Sequence, residues 1–128
     1  MSSAVLDASA LLALLNQEEG SELVAELVAA GAVISAVNLS EVVSKLSLVG
    51  MPESLIRESL DPLGLEVFQF DVELAYRAAA LSGLTRVAGL SLGDRACLAL
   101  AGQVRLPAVT ADRAWGRLEL DVEVRVIR

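Results

Sequence analysis

The chain has 128 residues, of which 55% are hydrophobic, and its net charge is −7 at pH 7. A chain of this length is most simply one domain over residues 1–128, and folding removes roughly two thirds of its surface from water without help from a disulfide. The composition excludes a disordered chain, and the acidic charge argues against a broad basic surface of the kind that binds nucleic acid through counterion release.

Short runs rich in valine and isoleucine alternate with longer segments of helical periodicity, which is typical of β-α units around a parallel sheet. The predicted strands are Ala4–Leu6, Ala32–Ala36, Leu65–Phe70, Ala108–Thr110 and Val122–Ile127. The predicted helices are Ser9–Gln17, Ser21–Ala30, Asn38–Val49, Pro52–Leu60, Val72–Leu84 and Leu92–Gly102. The sequence therefore predicts an α/β fold in which each element is short.

The apolar stretch from Ala8 to Leu15 has the look of a signal peptide, but no lysine or arginine precedes it and Asp7 adjoins it. No apolar run reaches the ~20 residues that a membrane-spanning helix requires. The single cysteine, Cys97, fits a reducing compartment. We expect a cytoplasmic protein that makes no membrane contact.

Histidine is absent, and with one cysteine the chain cannot form a Ser-His-Asp or Cys-His catalytic unit or the usual kind of zinc site. Any chemistry must then be carried by carboxylates, whose hard oxygen atoms suit Mg²⁺ or Mn²⁺. Lys45 is the only lysine, and four aromatic residues make a base-stacking platform unfavourable. A nucleic-acid substrate would have to be held by metal ions and individual arginines.

Four acids fall where a parallel sheet would collect them. Asp7 and Asp112 each follow a predicted strand, Glu41 lies in the first turn of the helix after the second strand, and Asp94 opens the last predicted helix. The carboxyl ends of parallel strands form one edge of the sheet, where open α/β folds place their sites. We expect all four carboxylates at that edge.

Each acid also has a structural explanation. "NLSE" at 38–41 can form a capping box with Asn38 as N-cap, and "SLGD" at 91–94 is a weaker version. Asp7 can cap the helix that follows it, and Asp112 can be a turn residue. However, like charges ~5 Å apart repel by about 3 kcal/mol at an effective dielectric constant of about 20. Two divalent ions would offset that repulsion and form a clamp suited to phosphodiester cleavage.

At these residues the sequence resembles the PIN-domain family, and within it the VapC-like toxins of type II toxin-antitoxin pairs. The matching segments occur in family order and are "VLDASALLALL" (5–15), "ISAVNLSEVVSKL" (34–46), "LSLGDRACLALA" (90–101) and "VTADRAW" (109–115). The resemblance implies a three-layer α/β/α fold with a parallel sheet of about five strands, and Mg²⁺- or Mn²⁺-dependent cleavage of RNA. It also implies a homodimer and a cognate antitoxin. The catalytic and metal-binding quartet that it implies is Asp7, Glu41, Asp94 and Asp112.

Five further residues near these acids have two interpretations each. Ser9 and Thr110 can orient a carboxylate or touch a phosphate, or they can act as a helix cap and a strand-end hydroxyl. Asn38 can be a helix cap or a ligand, and the cap is the preferred interpretation. Arg95 and Arg113 follow proposed ligands and can position RNA phosphates, or they can pair with surface acids.

Two other kinds of protein compete with a nuclease. One is a noncatalytic scaffold of the same fold that acts through a protein partner, although such a protein has no reason to keep four repelling acids. The other is a phosphoacceptor signalling domain, which would need a lysine beyond a late strand, whereas Lys45 lies early in the chain. The segment "MPESLIRESL" adds an apolar helix face that either a dimer partner, an antitoxin or the core would cover.

Overall fold

The computed structural model describes residues 2–85 and 89–128, and for Leu84 and Thr85 it describes the backbone alone. Its centre is a five-stranded sheet in which every adjacent pair of strands is parallel and the order is β3-β2-β1-β4-β5. The strands are β1 (Ala4–Leu6), β2 (Ala32–Ser35), β3 (Glu66–Phe68), β4 (Ala108–Thr110) and β5 (Val124–Val126). All five predicted strands are therefore present, three of them shorter than predicted.

Helices connect the strands and cover both faces of the sheet. The α-helices of the described residues are α1 (Ala8–Leu15), α2 (Ser21–Ala29), α3 (Ala36–Leu48), α4 (Glu53–Leu60), α5 (Val72–Ala80), α6 (Ser82–Thr85) and α7 (Leu92–Val104). Two 3₁₀ turns, Asp61–Leu63 and Arg113–Arg117, complete the connections. None of the helices within the described ranges has the length and apolar character that crossing a membrane would require.

The three layers follow from the alternation of side chains along the central strand β1. Val5 faces the layer of α5 and α7, together with Trp115. Ala4 and Leu6 face the opposite layer, where they pack with residues of α1 and α2. The middle strands are buried on both faces, as expected for a parallel sheet covered by helices. The predicted three-layer α/β/α fold is confirmed.

The register of the sheet places the carboxyl ends of its middle strands side by side. Leu6 pairs with Ile34 of β2 and with Val109 of β4. The residues that follow, Asp7 and Thr110, therefore emerge together at the carboxyl edge of the sheet. This edge is the crevice where an open α/β sheet can form a site.

The observed helices differ from the predicted bounds at several ends, and two of these differences are informative. α3 begins at Ala36 because the hydroxyl of Ser35 caps it, accepting a hydrogen bond from Val37 N at 3.2 Å. Asn38 is thus inside the helix and is not its cap. The helix predicted over residues 72–84 is two helices, since α5 ends at Ala80 before the weak helix formers Ser82 and Gly83.

The apolar face of α4 is only partly covered. Ile56 is buried against α1 and α3, whereas Leu55 is 44% exposed. Between α3 and α4 runs a groove whose apolar lining includes Leu39, Val43 and Leu60. The core therefore accounts for one side of the "MPESLIRESL" helix and leaves the other side free in the described monomer.

Candidate active site

Asp7 is the most buried acid at the carboxyl edge, with 5% of its surface exposed. Its Oδ1 accepts a hydrogen bond from Ala10 N at 2.8 Å, so it caps α1 as the sequence suggested. Burial raises the pKa of the Asp7 carboxyl above its ordinary value of 3.8, hydrogen bonds from Thr110, Ala10 and Ser9 oppose the rise, and the negative charge of Asp94 adds to it. A nearby positive charge would stabilise the ionised form of Asp7 at this position.

Two hydroxyl groups fix the orientation of the Asp7 carboxylate. Thr110 Oγ1 donates to Oδ2 at 2.6 Å, and Ser9 Oγ lies 2.8 and 2.9 Å from the two carboxylate oxygens. Both hydroxyls also accept from the backbone beyond β4, Ser9 from Ala111 N at 2.9 Å and Thr110 from Asp112 N at 3.0 Å. Ser9 and Thr110 thus link the start of α1 to the end of β4 through Asp7. The term strand wall is used below for Asp7, Ser9 and Thr110.

Glu41 lies on α3 and is held by a neighbouring side chain. Asn38 Nδ2 donates to Glu41 Oε1 and to the carbonyl oxygen of Gly93 on α7, each at 2.9 Å. A Cβ atom at Gly93 would stand 2.6 Å from Glu41 Cδ, so the Glu41 side chain would have to move to admit one. The carboxylate of Glu41 is therefore packed directly against the first turn of α7.

Asp94 is the third residue of α7 and completes a capping box. Its backbone N–H donates to Ser91 Oγ at 3.1 Å, and its Oδ2 accepts from Ser91 N at 3.0 Å. The capping prediction for "SLGD" is confirmed, and it leaves Oδ1 of the half-buried Asp94 available. The term helix wall is used below for Asn38, Glu41, Gly93 and Asp94.

The thiol of Cys97 on α7 is influenced by acids of both walls. Burial raises the pKa of Cys97 well above its ordinary value, and the negative charges of Asp7, Asp94 and Glu41 raise it further. Three of the four predicted acids are therefore close enough to act on one buried sulfur atom. Cys97 itself is fully buried in the core.

Asp112 stands apart from the other three acids. Its side chain is exposed, and Oδ1 accepts from Ala114 N at 2.9 Å to cap the 3₁₀ turn Arg113–Arg117. Its backbone N–H nevertheless bonds to Thr110, one hydrogen bond away from Asp7. The structure thus brings the backbone of Asp112 to the strand wall while its carboxylate lies at the solvent-facing rim.

Both arginines beside the acids have contacts within the protein. Arg95 Nη1 donates to the Ala78 carbonyl at 3.2 Å and to Ser82 Oγ at 3.1 Å. Arg113 Nε donates to the Arg128 carbonyl at 2.9 Å. In neither case is the partner a surface acid.

Lys45 has a different environment from these arginines. It is exposed one helical turn after Glu41, lines the same shallow groove along α3, and has no hydrogen bond or ion pair to any residue that the structure describes. Sequence reasoning passed over Lys45 because it looked for a late lysine. It also passed over Gly93, although glycine in the first turn of a helix is a signal of close packing.

The donor atoms of the site fit a hard divalent cation. Asp7, Glu41 and Asp94 offer carboxylate oxygens without a competing lysine or arginine partner among the described residues, and Asn38 Oδ1 is buried with no hydrogen-bond partner there. Over residues 2–85 and 89–128, no three acidic or sulfur side chains form a preassembled metal cage. Mg²⁺ keeps several waters and commonly uses one or two carboxylates, so these residues suit it without such a cage.

Several solved structures are similar to this chain over nearly its whole length. A DNA-bound VapBC from Salmonella typhimurium matches with a TM-score of 0.77 and 20% identity over 100% of both chains. A toxin-antitoxin complex from Klebsiella pneumoniae matches with a TM-score of 0.75 and 22% identity over 98% of both chains. FitAcB from Neisseria gonorrhoeae matches with a TM-score of 0.72 and 21% identity over 94% of this chain and 95% of that one.

At these identities the structural likeness establishes the fold alone. A comparison with curated protein sequences found no significant match. The family model described as PIN domain matches residues 4–120, a range that contains both walls of the site and Asp112. The chain therefore belongs to the PIN domain family.

Proposed function

We propose that this protein is a Mg²⁺- or Mn²⁺-dependent endoribonuclease and the toxin of a toxin-antitoxin pair. The observation that carries the proposal is that Glu41 packs against the turn of α7 that carries Asp94, next to the carboxyl edge of the sheet where Asp7 lies. Membership of the PIN family and the likeness to toxin chains of solved toxin-antitoxin complexes support it. A purely structural fold gains nothing from placing carboxylates of like charge in the same region.

The proposed ligands are Asp7, Asp94 and Asp112, with Glu41 binding a second ion or orienting the attacking water. A bound divalent ion would supply a hydroxide nucleophile near neutral pH and offset charge on the scissile phosphate. Ser9 and Thr110 keep the Asp7 carboxylate in one orientation, so little reorganisation is needed when the substrate arrives. The products would carry a 5′-phosphate and a 3′-hydroxyl.

RNA has to approach a protein whose net charge is −7. Arg95 and Arg113 already donate to carbonyl groups of the protein, although each keeps further N–H donors. Lys45 makes no hydrogen bond or ion pair with the described residues, and it lines a groove together with Glu41. We assign it to an RNA phosphate next to the scissile one, because a free ammonium one turn from the acids offsets their repulsion of the polyanion.

The partners proposed are a cognate antitoxin and a second copy of this chain. The complexes named VapBC and FitAcB contain chains similar to this one, which supports an antitoxin partner. The half-exposed face of α4 and the neighbouring apolar groove provide apolar surface of the kind that either partner would cover.

The decisive experiment compares wild type with Asp7→Asn, using Asp71→Asn as a matched control. Asp71 caps α5 much as Asp7 caps α1, accepting from Leu74 N at 2.9 Å, but it is exposed and outside the site. Cleavage of total RNA and thermal stability are measured with Mn²⁺ and with EDTA.

Wild type and Asp71→Asn should cleave RNA only with metal, and Asp7→Asn should be slower by roughly a hundredfold or more. Mn²⁺ at a hundred times its Kd should stabilise the wild-type fold by about 2.7 kcal/mol, and Asp7→Asn should lose that gain. A wild-type protein with neither cleavage nor metal stabilisation would instead be a noncatalytic scaffold.

A further inference from the structure

Asn38 is the one polar side chain of the helix wall that is almost completely buried, with 1% of its surface exposed. Its Nδ2 group spans two helices, donating to Glu41 on α3 and to the carbonyl of Gly93 on α7. Both partners are pure acceptors, so the amide can be oriented in only one way. The nitrogen of Asn38 must face Glu41, and its oxygen must face elsewhere.

A structural role leaves part of this arrangement unexplained. Asn38 does not cap α3, because Ser35 does so. Its Oδ1 is buried without a hydrogen-bond partner among the described residues, which is unfavourable for the folded state. A buried polar group that stays unsatisfied in this way needs an explanation such as a bound water or ion.

Gly93 closes the other side of the Glu41 carboxylate. Since a Cβ atom at residue 93 would overlap Glu41, the carboxylate is confined between the Asn38 amide and the backbone of α7. The next residue along α7 is Asp94, so this contact places Glu41 against the turn that carries a second proposed ligand. Asn38 is neutral, and it therefore orients Glu41 without cancelling its negative charge. A lysine or arginine in its place would cancel the charge that would attract a cation.

We propose that Asn38 is a positioning residue for Glu41. Its Nδ2 group donates to Oε1 at 2.9 Å, which would leave Oε2 available to a divalent ion, and the unpartnered Oδ1 would be available to a water in the site. This inference rests on the proposed metal-dependent function. It extends that function by identifying Asn38, on the same helix, as the residue that sets the orientation of the Glu41 carboxylate.

The test is a double-mutant cycle read out as Mn²⁺ affinity, obtained from the metal-dependent rise in Tm of the full chain. The variants are Asn38→Leu, which has the same number of side-chain heavy atoms but no polar ones, Glu41→Gln, and the two combined. Asn38→Ala is the second variant in case leucine does not fit. Ser47→Ala, on the exposed face of α3, is the control.

Asn38→Leu should remain folded and bind Mn²⁺ about tenfold more weakly, as is typical when a group that orients a ligand is lost. In the Glu41→Gln background the same change should have little further effect, because Asn38 acts through Glu41. Equal losses in both backgrounds, or unchanged Mn²⁺ affinity in Asn38→Leu and Asn38→Ala, would overturn the inference. Wild-type Mn²⁺ binding that depends on Asp7 would leave the proposed function standing in that event.

Discussion

The two walls of the site hold their carboxylates in different ways. In the strand wall, Asp7 follows the central strand and accepts hydrogen bonds from two hydroxyls and a backbone N–H. In the helix wall, Glu41 and Asp94 are only half buried, and their positions depend on how α3 packs against α7. The position of the strand wall is set by the register of the sheet, whereas the position of the helix wall is set by the amide of Asn38 and the close approach of Gly93.

Because of this difference, we expect the carboxylates of the two walls to differ in how far they can move. A carboxylate that is buried and fully hydrogen-bonded has little freedom and makes a precise ligand, at a cost to stability that the rest of the fold offsets. A half-buried carboxylate on a helix can adjust its position when a substrate or ion enters. We expect variants of the strand wall to have larger effects than variants at the rim.

The largest contrast should appear in the pH dependence of metal-free stability. Because burial raises the pKa of Asp7, the unfolded chain ionises this group at lower pH than the folded protein does. Asp7 therefore lowers folded stability progressively as pH rises from about the unfolded value of 3.8 through the folded pKa. Asp7→Asn should raise the metal-free Tm at pH 7, where each kcal/mol corresponds to roughly 3 to 5 °C for a chain of this size.

The check is a series of thermal melts in EDTA between pH 3.5 and pH 8. The gain from Asp7→Asn should shrink towards zero at the acidic end, where both states of the wild type are protonated. Asp71→Asn, which alters an exposed cap of the same kind, should show no such gain. A variant less stable than wild type at pH 7 would contradict the assignment of burial as the dominant effect.

A smaller effect is expected at the rim. Asp112→Asn keeps a good N-cap for the 3₁₀ turn and removes only the charge. Because the Asp112 carboxylate is exposed and absent from the group around Cys97, RNA cleavage should fall by about tenfold, against roughly a hundredfold or more for Asp7→Asn. Single-turnover cleavage at saturating Mn²⁺ measures both, and equal losses would place Asp112 on a par with the strand wall.

The smallest effect concerns substrate binding beside the helix wall. Lys45→Ala should weaken RNA binding by about two- to fivefold and reduce the slope of log K against log salt by about one. Arg57→Ala is the control, because Arg57 is also exposed but pairs with Glu53 at 3.0 Å. Filter binding of RNA to the inactive Asp7→Asn protein over a range of salt concentrations provides the measurement. An unchanged salt slope would remove Lys45 from the substrate path.

Much of the fold could be predicted because local patterns and global structure agree. Val and Ile runs bounded by polar residues gave the five strands, and β1 and β4 match their predicted bounds. Helix ends were less predictable, since Ser35 and Asn38 are both competent N-caps and only packing decides between them. The helix predicted over residues 72–84 is interrupted at Leu81, and its last residues belong to the separate helix α6.

The sequence by itself determined that any catalysis would have to use carboxylates, because it contains no histidine and one cysteine, and it determined which strand ends carry acids. Tertiary structure decided how those acids differ: Asp7 is buried in a hydrogen-bond network and Asp112 is left at the rim. It also decided that Asn38 contacts Gly93, 55 residues away. The physical reason is that burial and long-range contacts depend on which elements pack together, a property that no short stretch of sequence contains.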